Sequence, residues 1–320
     1  MSSTTPLSYL SAAGDRAGTI LPLTWFTLIV SIVVCVVIAV LLYVGVSRRR
    51  VRQTAQIQQV PVTQAPGGLR WISVGLAISA VPLVITLVWT LSALAATSGP
   101  PAHPGLTIDV TPHQWWWDIQ YEGERPSDIF NTANEIHIPV GVPVLVRLHG
   151  GDVIHSFWVP QLSGKTDAIP GQINLSWLEA STPGRYRGQC QEYCGAEHAN
   201  MGFEVVAQTP DDFRRWRADQ LSPAPPANTA ALQHGQEVVE FRCGLCHQVR
   251  GTGAGGRAAP DLTHIMSRRM LAAATLPNNP GTLVAWIQTS QELKPGTLMP
   301  DQFLTATELP DVQAYLETLK

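Results

Sequence analysis

Between residues 190 and 201 the sequence reads Cys-Gln-Glu-Tyr-Cys-Gly-Ala-Glu-His-Ala-Asn-Met, so two thiols, an imidazole and a thioether fall within twelve residues. Soft sulfur combined with imidazole suits copper better than hard cations, and a weak methionine ligand is common at copper sites that transfer electrons. One loop can fold Cys190, Cys194, His198 and Met201 inward, and a second imidazole must then come from a distant strand. His155, in Gly-Asp-Val-Ile-His-Ser-Phe-Trp-Val-Pro, is the candidate because it ends a strand. A Cys190–Cys194 disulfide or a zinc site would use the same cysteines, but neither gives Met201 a role.

A second cluster follows at Cys243-Gly-Leu-Cys246-His247. This is the attachment pattern for c-type haem, with the histidine placed to bind iron. A methionine on the other side of the iron would raise its potential, and Met266, Met270 and Met299 are available downstream. Met266 and Met270 flank an arginine pair and read as one helical turn, whereas Met299 lies in the loop Gly296-Thr-Leu-Met-Pro300. Zinc would want four ligands, and no second cysteine pair lies in this part of the chain. A redox Cys-x-x-Cys would want a βαβ setting that the pattern lacks.

These clusters need elements to hold them. Charged residues make up only 14% of the 320 residues, which places part of the chain in lipid. Two uncharged runs, at about 21–46 and 71–96, are long enough to span a bilayer as helices. Arg48, Arg49, Arg50, Arg52 and Arg70 lie between them, which predicts a cytoplasmic loop and an exterior or periplasmic location for everything beyond about Ser98. From there to about residue 208, short alternating segments such as Glu135-Ile-His-Ile-Pro-Val and Val144-Leu-Val-Arg-Leu-His predict a β-sandwich or barrel. The Pro- and Ala-rich stretch from Leu221 suits an exposed tether, and a small helical domain follows, ending in a helix over 307–319. The expected division is 1–98 tail and membrane hairpin, 99–210 β domain, 211–231 linker and 232–320 helical domain. The arginines form short runs beside apolar segments, which argues against nucleic acid as a partner.

With these residues in place, the chain resembles cytochrome oxidase subunit II of the CuA type. The likeness rests on His113-Gln-Trp-Trp-Trp-Asp, His155-Ser-Phe-Trp-Val-Pro, Gly164-Lys-Thr-Asp-Ala-Ile-Pro-Gly171 and the 190–201 cluster. It implies a cupredoxin fold with two coppers bridged by Cys190 and Cys194, one histidine on each from His155 and His198, and Met201 and the Glu192 carbonyl as weak ligands. It further implies that the Glu192 carboxylate reaches a magnesium shared with subunit I, and that Trp115 is where electrons come in. Of Trp116 and Trp117, at least one is expected to be structural. The C-terminal part resembles class I cytochromes c, with Pro260 near His247 and with Met299 as the second axial ligand. One departure stands out: such chains commonly carry a glutamate near the second helix, yet no acidic residue lies between Asp15 and Asp109. That bears on proton uptake and leaves electron transfer untouched.

The resemblance implies the electron-transfer subunit of a caa-type, proton-translocating oxidoreductase of a bacterial membrane. Its expected partners are subunit I, subunit III and a donor cytochrome c or upstream complex, with no oxygen-reducing site in this chain. The electron-receiving subunit of a CuA-containing nitric oxide reductase would look nearly the same. A membrane-anchored copper chaperone would leave the haem motif and Met201 unexplained. His137 and His149 read as satisfied surface or interface groups, His103, His234 and His264 carry no partner signal, and Cys35 reads as a small apolar residue.

Overall fold

The computed structural model describes residues 7–52, 68–100 and 102–320. Helices α1 (Asp15–Arg52) and α2 (Gly68–Thr97) contain the two apolar runs and extend beyond them at both ends. Backbone hydrogen bonding in a helix carries on into polar flanks once a long segment is nucleated. Leucine, isoleucine and valine side chains stand exposed along both helices, as suits a segment solvated by lipid. Phe26 and Trp89 meet with ring centroids 5.5 Å apart. Most of the arginine-rich loop, 53–67, lies outside the described residues, as do the side chains of Arg49, Arg50 and Arg52.

Of the described residues, those up to Ala17 and from Pro100 onward form one compact unit, and those within Gly18–Gly99 form another. The N-terminal stretch, expected to belong with the hairpin, is instead stitched to the β domain. The Ala13 N–H donates to the Gln161 carbonyl (2.8 Å), and the Ser181 N–H donates to that of Ala13 (2.8 Å).

The β domain is two five-stranded sheets facing each other. One contains β1 (Leu106–His113), β2 (Trp116–Tyr121), β3 (Phe130–Ala133), β5 (Val144–His149) and β8 (Ile173–Leu178). The other contains β4 (Glu135–Pro139), β6 (His155–Trp158), β7 (Thr166–Ala168), β9 (Gly184–Cys190) and β10 (Gly202–Gln208). Pairing is antiparallel except for β1 with β5 and β4 with β10. Strands β1, β2 and β5 alternate buried and half-buried residues, the mark of a sheet with one covered face. Strand β4 is buried throughout, and β10 nearly so, because their outer face is covered as well.

Part of that cover is helix α3 (Pro210–Leu221), which occupies the first half of the stretch expected as linker. Its start is written locally: the Thr209 side chain accepts from the Asp212 N–H, Pro210 opens the helix, and Asp211 and Asp212 sit at its positive end. Trp216 then stacks on His137 at 4.1 Å, and Phe213 joins the β core. His137 is therefore buried, not a surface group, with Glu135 (2.8 Å) and Gln208 (2.8 Å) satisfying its ring nitrogens.

Residues 222–229 are irregular but not free. The Ala224 N–H donates to the Arg250 carbonyl (2.8 Å), and His264 reaches the Ser222 carbonyl (3.1 Å). Beyond them come α4 (Ala230–Arg242), the short strands β11 (Met270–Leu271) and β12 (Leu276–Pro277), α5 (Pro280–Gln288), α6 (Ser290–Leu293) and α7 (Glu308–Thr318). Helices α4 and α7 cross at Gly235, where an added Cβ would lie 2.1 Å from the Asp311 carbonyl oxygen, so only glycine allows the approach. His234 tethers the same crossing through Asp311 (2.7 Å). Met266 lies in a single 3-10 turn and Met270 in β11, so the two do not share a helical turn as the sequence suggested.

Candidate redox centres

The 190–201 segment is the hairpin loop between β9 and β10. The hairpin closes at its mouth, where the Cys190 N–H donates to the Met201 carbonyl (3.1 Å), and this brings the two ends of the loop together. His155 opens β6, whose Phe157 pairs with Cys190 across the sheet. The sequence placed His155 at a strand's end; it stands at the beginning, which serves the same purpose.

Five side chains and one carbonyl converge there. The Cys190 and Cys194 sulfurs lie 3.9 Å apart as free cysteines. His155 Nδ1 is 3.8 Å from the Cys190 sulfur, and His198 Nδ1 is 3.5 Å from that of Cys194. Met201 Sδ is 3.8 Å from Cys194, and the Glu192 carbonyl oxygen is 3.3 Å from Cys190. His155, Cys190 and Cys194 are all buried, and their ligand atoms lie within 4.8 Å of one another. This donor set is soft and compact, with imidazole on each flank, and it fits copper.

The surroundings prepare it. His155 Nε2 donates to Asp152 (2.8 Å), which turns Nδ1 toward the sulfurs; a carboxylate behind a metal-binding imidazole commonly fixes its orientation. Burial acts to lower the His155 pKa, but its hydrogen bonds to Cys190 and Asp152 outweigh that and raise it. The hydrogen bond between the two thiols, above all, holds the Cys190 thiol below its ordinary range, and the same bond pushes Cys194 up.

Trp115 closes the loop from outside. Its indole N–H donates to the Cys194 carbonyl (3.0 Å), which also accepts from the Gln114 side chain (2.7 Å). Gly195 is required here: its φ is +121°, and a Cβ would come within 2.9 Å of the Trp115 ring. Trp116 stacks on His113 at 4.8 Å, while Trp117 is buried among Phe157 and Phe203. Trp117 is thus the structural tryptophan of the run.

The second centre lies at the C-terminal end of α4. A cavity of about 400 Å³ is lined by Cys243, Cys246, His247 and Met299 among others. His247 donates from Nδ1 to the Pro260 carbonyl (2.7 Å), leaving Nε2 with a lone pair to offer a metal. Burial lowers the His247 pKa and so favours that neutral form. The cavity is also bordered by Arg268, which is buried and whose Nε has no hydrogen-bond partner. An orphaned guanidinium nitrogen at an apolar cavity wants an anion, and a haem brings carboxylates as well as iron. Two thiols, an imidazole lone pair and that nitrogen fit haem c. Met270 lines the cavity too, whereas Met266 packs on the hydrophobic core.

Residues 124–208 match the sequence family described as cytochrome c oxidase subunit II, periplasmic domain, and residues 232–320 match cytochrome c. Cytochrome c oxidase subunit 2 of Alkalihalophilus pseudofirmus is 40% identical over 215 residues, covering 67% of this chain and 61% of that one. The chain belongs to the cytochrome c oxidase subunit II family. Subunit 2 of the Bacillus subtilis oxidase is 28% identical over 336 residues, or 98% of this chain and 92% of its own length. The periplasmic domain of oxidase subunit II from Bradyrhizobium japonicum is 31% identical and matches 38% of this chain and 96% of that one, with a TM-score of 0.36. This subunit II is therefore a membrane-anchored, multidomain electron-transfer chain: two apolar helices, a cupredoxin-like domain for CuA copper, and a C-terminal domain for haem c.

The two domains of this subunit II meet at Trp115. Its ring borders the haem cavity together with Gln114 and Trp116, and it is only 8% exposed. Across the same contact Arg269 pairs with Glu204, and the Gly202 N–H donates to the Ala273 carbonyl (3.0 Å). Glu204 and Glu135 are both buried and also engage Arg185 (3.3 and 3.5 Å). Asp152, Arg268, Arg269 and Lys294 all belong to these centres or their contact, and sequence reasoning singled out none of them. Only Asp152 had a local signal, being an acid three residues before a candidate histidine ligand.

Proposed function

We propose that this chain takes electrons from an external donor at haem c and passes them by way of CuA to subunit I of a haem–copper oxidase, where oxygen is reduced. The observation that carries this is the position of Trp115, which borders the haem cavity while donating to the carbonyl of a copper-loop cysteine. The names of the relatives favour oxygen over nitric oxide as the final acceptor.

In this scheme Cys190, Cys194, His155 and His198 would hold the two coppers, with Met201 and the Glu192 carbonyl completing the set. Cys243 and Cys246 would hold the haem covalently, and His247 and Met299 would bind its iron. Met299 is preferred over Met270 because its carbonyl is held by Ser290 (2.9 Å) and Gln291 (2.7 Å) in a loop facing the cavity. When bound, haem c and CuA each take up and release one electron. The chain's part is to keep both ligand sets rigid, so that little moves upon transfer, and to exclude water between them. Asp152 orients His155, the Pro260 carbonyl orients His247, and Trp115 fills the space between the centres.

We place both metal domains in the periplasm or cell exterior and the arginine-rich loop in the cytoplasm, with subunit I, subunit III and a cytochrome c donor as partners. A magnesium shared with subunit I would use the Glu192 carboxylate, which now meets Lys165 at 3.5 Å. With no acidic residue between Asp15 and Asp109, we assign proton uptake to subunit I.

Metal analysis and paramagnetic resonance of the full-length chain in detergent test the scheme. It expects about two coppers per iron with one unpaired electron shared between them. Iron without copper, and a Cys190–Cys194 disulfide that persists under reducing conditions with copper supplied, would overturn it.

A further inference from the structure

Lys294 is 2% exposed, an unusual place for an ammonium. A buried cation is tolerated only when its hydrogen-bonding capacity is met, and a lysine has three N–H donors. All three are used. Nζ donates to the carbonyls of Trp115 (2.7 Å), Asn200 (2.8 Å) and Ala272 (3.2 Å).

These acceptors come from both sides of the domain contact. Trp115 and Asn200 belong to the β domain, the first at the wall of the copper loop and the second inside it. Ala272 belongs to the C-terminal domain. Carbonyl oxygens aimed at one point repel each other, and a single cation among them turns that repulsion into attraction. The lysine is itself anchored: its N–H donates to the Ser290 carbonyl (2.9 Å), and its carbonyl accepts from the Thr297 N–H (3.2 Å). Two residues on, Gly296 faces the Trp115 ring, where a Cβ would be 3.6 Å from the indole edge. The segment 294–299 thus grips the copper domain at one end and lines the haem cavity at the other.

We propose that Lys294 is the positioning residue that latches the haem-binding domain over Trp115. The role rests on the electron route proposed above, since the latch matters because Trp115 stands between the centres. Nearby contacts, Arg269 with Glu204 and Thr275 with the Asn200 carbonyl (3.2 Å), lie along the same interface.

The test uses the full-length chain loaded with copper and haem c, with Lys294→Met as the variant. Hydroxyl-radical footprinting read by mass spectrometry reports the solvent access of Trp115, and flash photoreduction reports the rate of equilibration between haem and copper. A latch predicts a several-fold rise in Trp115 labelling and at least a tenfold slower equilibration, with haem and copper still bound at wild-type stoichiometry; Lys294→Arg, which keeps the cation, should recover part of the protection. Trp115 as protected in Lys294→Met as in the wild type would overturn the proposal. If Lys294→Met fails to load haem, Lys294→Gln, which keeps two donors, takes its place under the same criterion. Labelling of Trp115 does not depend on where electrons go, so it can fail independently of the electron route, which stands or falls on metal content.

Discussion

The Trp115 indole N–H donates to the carbonyl oxygen of Cys194 over 3.0 Å, which ties the wall of the haem cavity to the copper loop by one hydrogen bond. Trp115→Phe keeps a ring in the gap and removes that donor. The chain should lose about 1 kcal/mol of stability, the ordinary worth of such a bond, and keep its full copper and iron content. Stopped-flow reduction should show slower filling of the copper centre, and an unchanged rate would reduce Trp115 to a packing role.

Cys190 is fully buried between His155 and the Glu192 carbonyl. Cys190→Ser replaces soft sulfur with hard oxygen where copper would bind. The expected outcome is loss of the copper resonance with an unaltered haem spectrum. Copper retained at wild-type stoichiometry would remove Cys190 from the ligand set.

His247→Ala removes the imidazole held by the Pro260 carbonyl. Haem should then lack its proximal ligand, visible in the absorption spectrum, while copper loading stays at the wild-type level because none of the proposed copper ligands comes from that domain. Loss of copper in this variant would show that the copper domain needs a loaded neighbour to fold.

Asp109 gives a pH prediction. Burial raises its pKa, but hydrogen bonds, that from Arg147 foremost and that from His149 among the others, outweigh burial and bring it down to about 2. A carboxyl depressed in the folded state contributes stability that is fully present above its unfolded pKa and is lost as pH falls toward the folded value. The contribution should disappear as pH falls between about pH 4 and pH 2. Denaturant melts of the copper-free chain should show this slope in the wild type and a flatter one in Asp109→Asn; equal slopes would exclude the Arg147 pair as its source.

Much of the candidate site could be read from residue types because its proposed ligands are local. Cys190, Cys194, His198 and Met201 share one loop, and Cys243, Cys246 and His247 share another, so spacing alone carries the chemistry. His155 was reachable because a strand-edge histidine is the natural complement to such a loop. Lys294 was not reachable. Its burial is made by contacts with Trp115, 179 positions away, and Asn200, 94 away, and nothing in Glu-Leu-Lys-Pro-Gly marks it. Helix α3 was hidden for a related reason. Its charged sequence looked like tether, but Phe213 and Trp216 are enough to dock it once the β4–β10 face exists. The helical turn expected for Met266 and Met270 failed because β11 and β12 pair across it, a tertiary choice that local propensity does not contain.

The contact at Trp115 joins two parts of one polypeptide. Two separate redox proteins must collide, so their exchange is second order, slows on dilution, and weakens when salt screens the charges that steer them together. Here the local concentration of one partner at the other is set by covalent connection. The internal step is therefore first order and indifferent to how dilute the enzyme is, and it has no partner to saturate. In the proposed scheme the one diffusional encounter left for electron supply to act on is the arrival of the outer donor at the haem-binding domain.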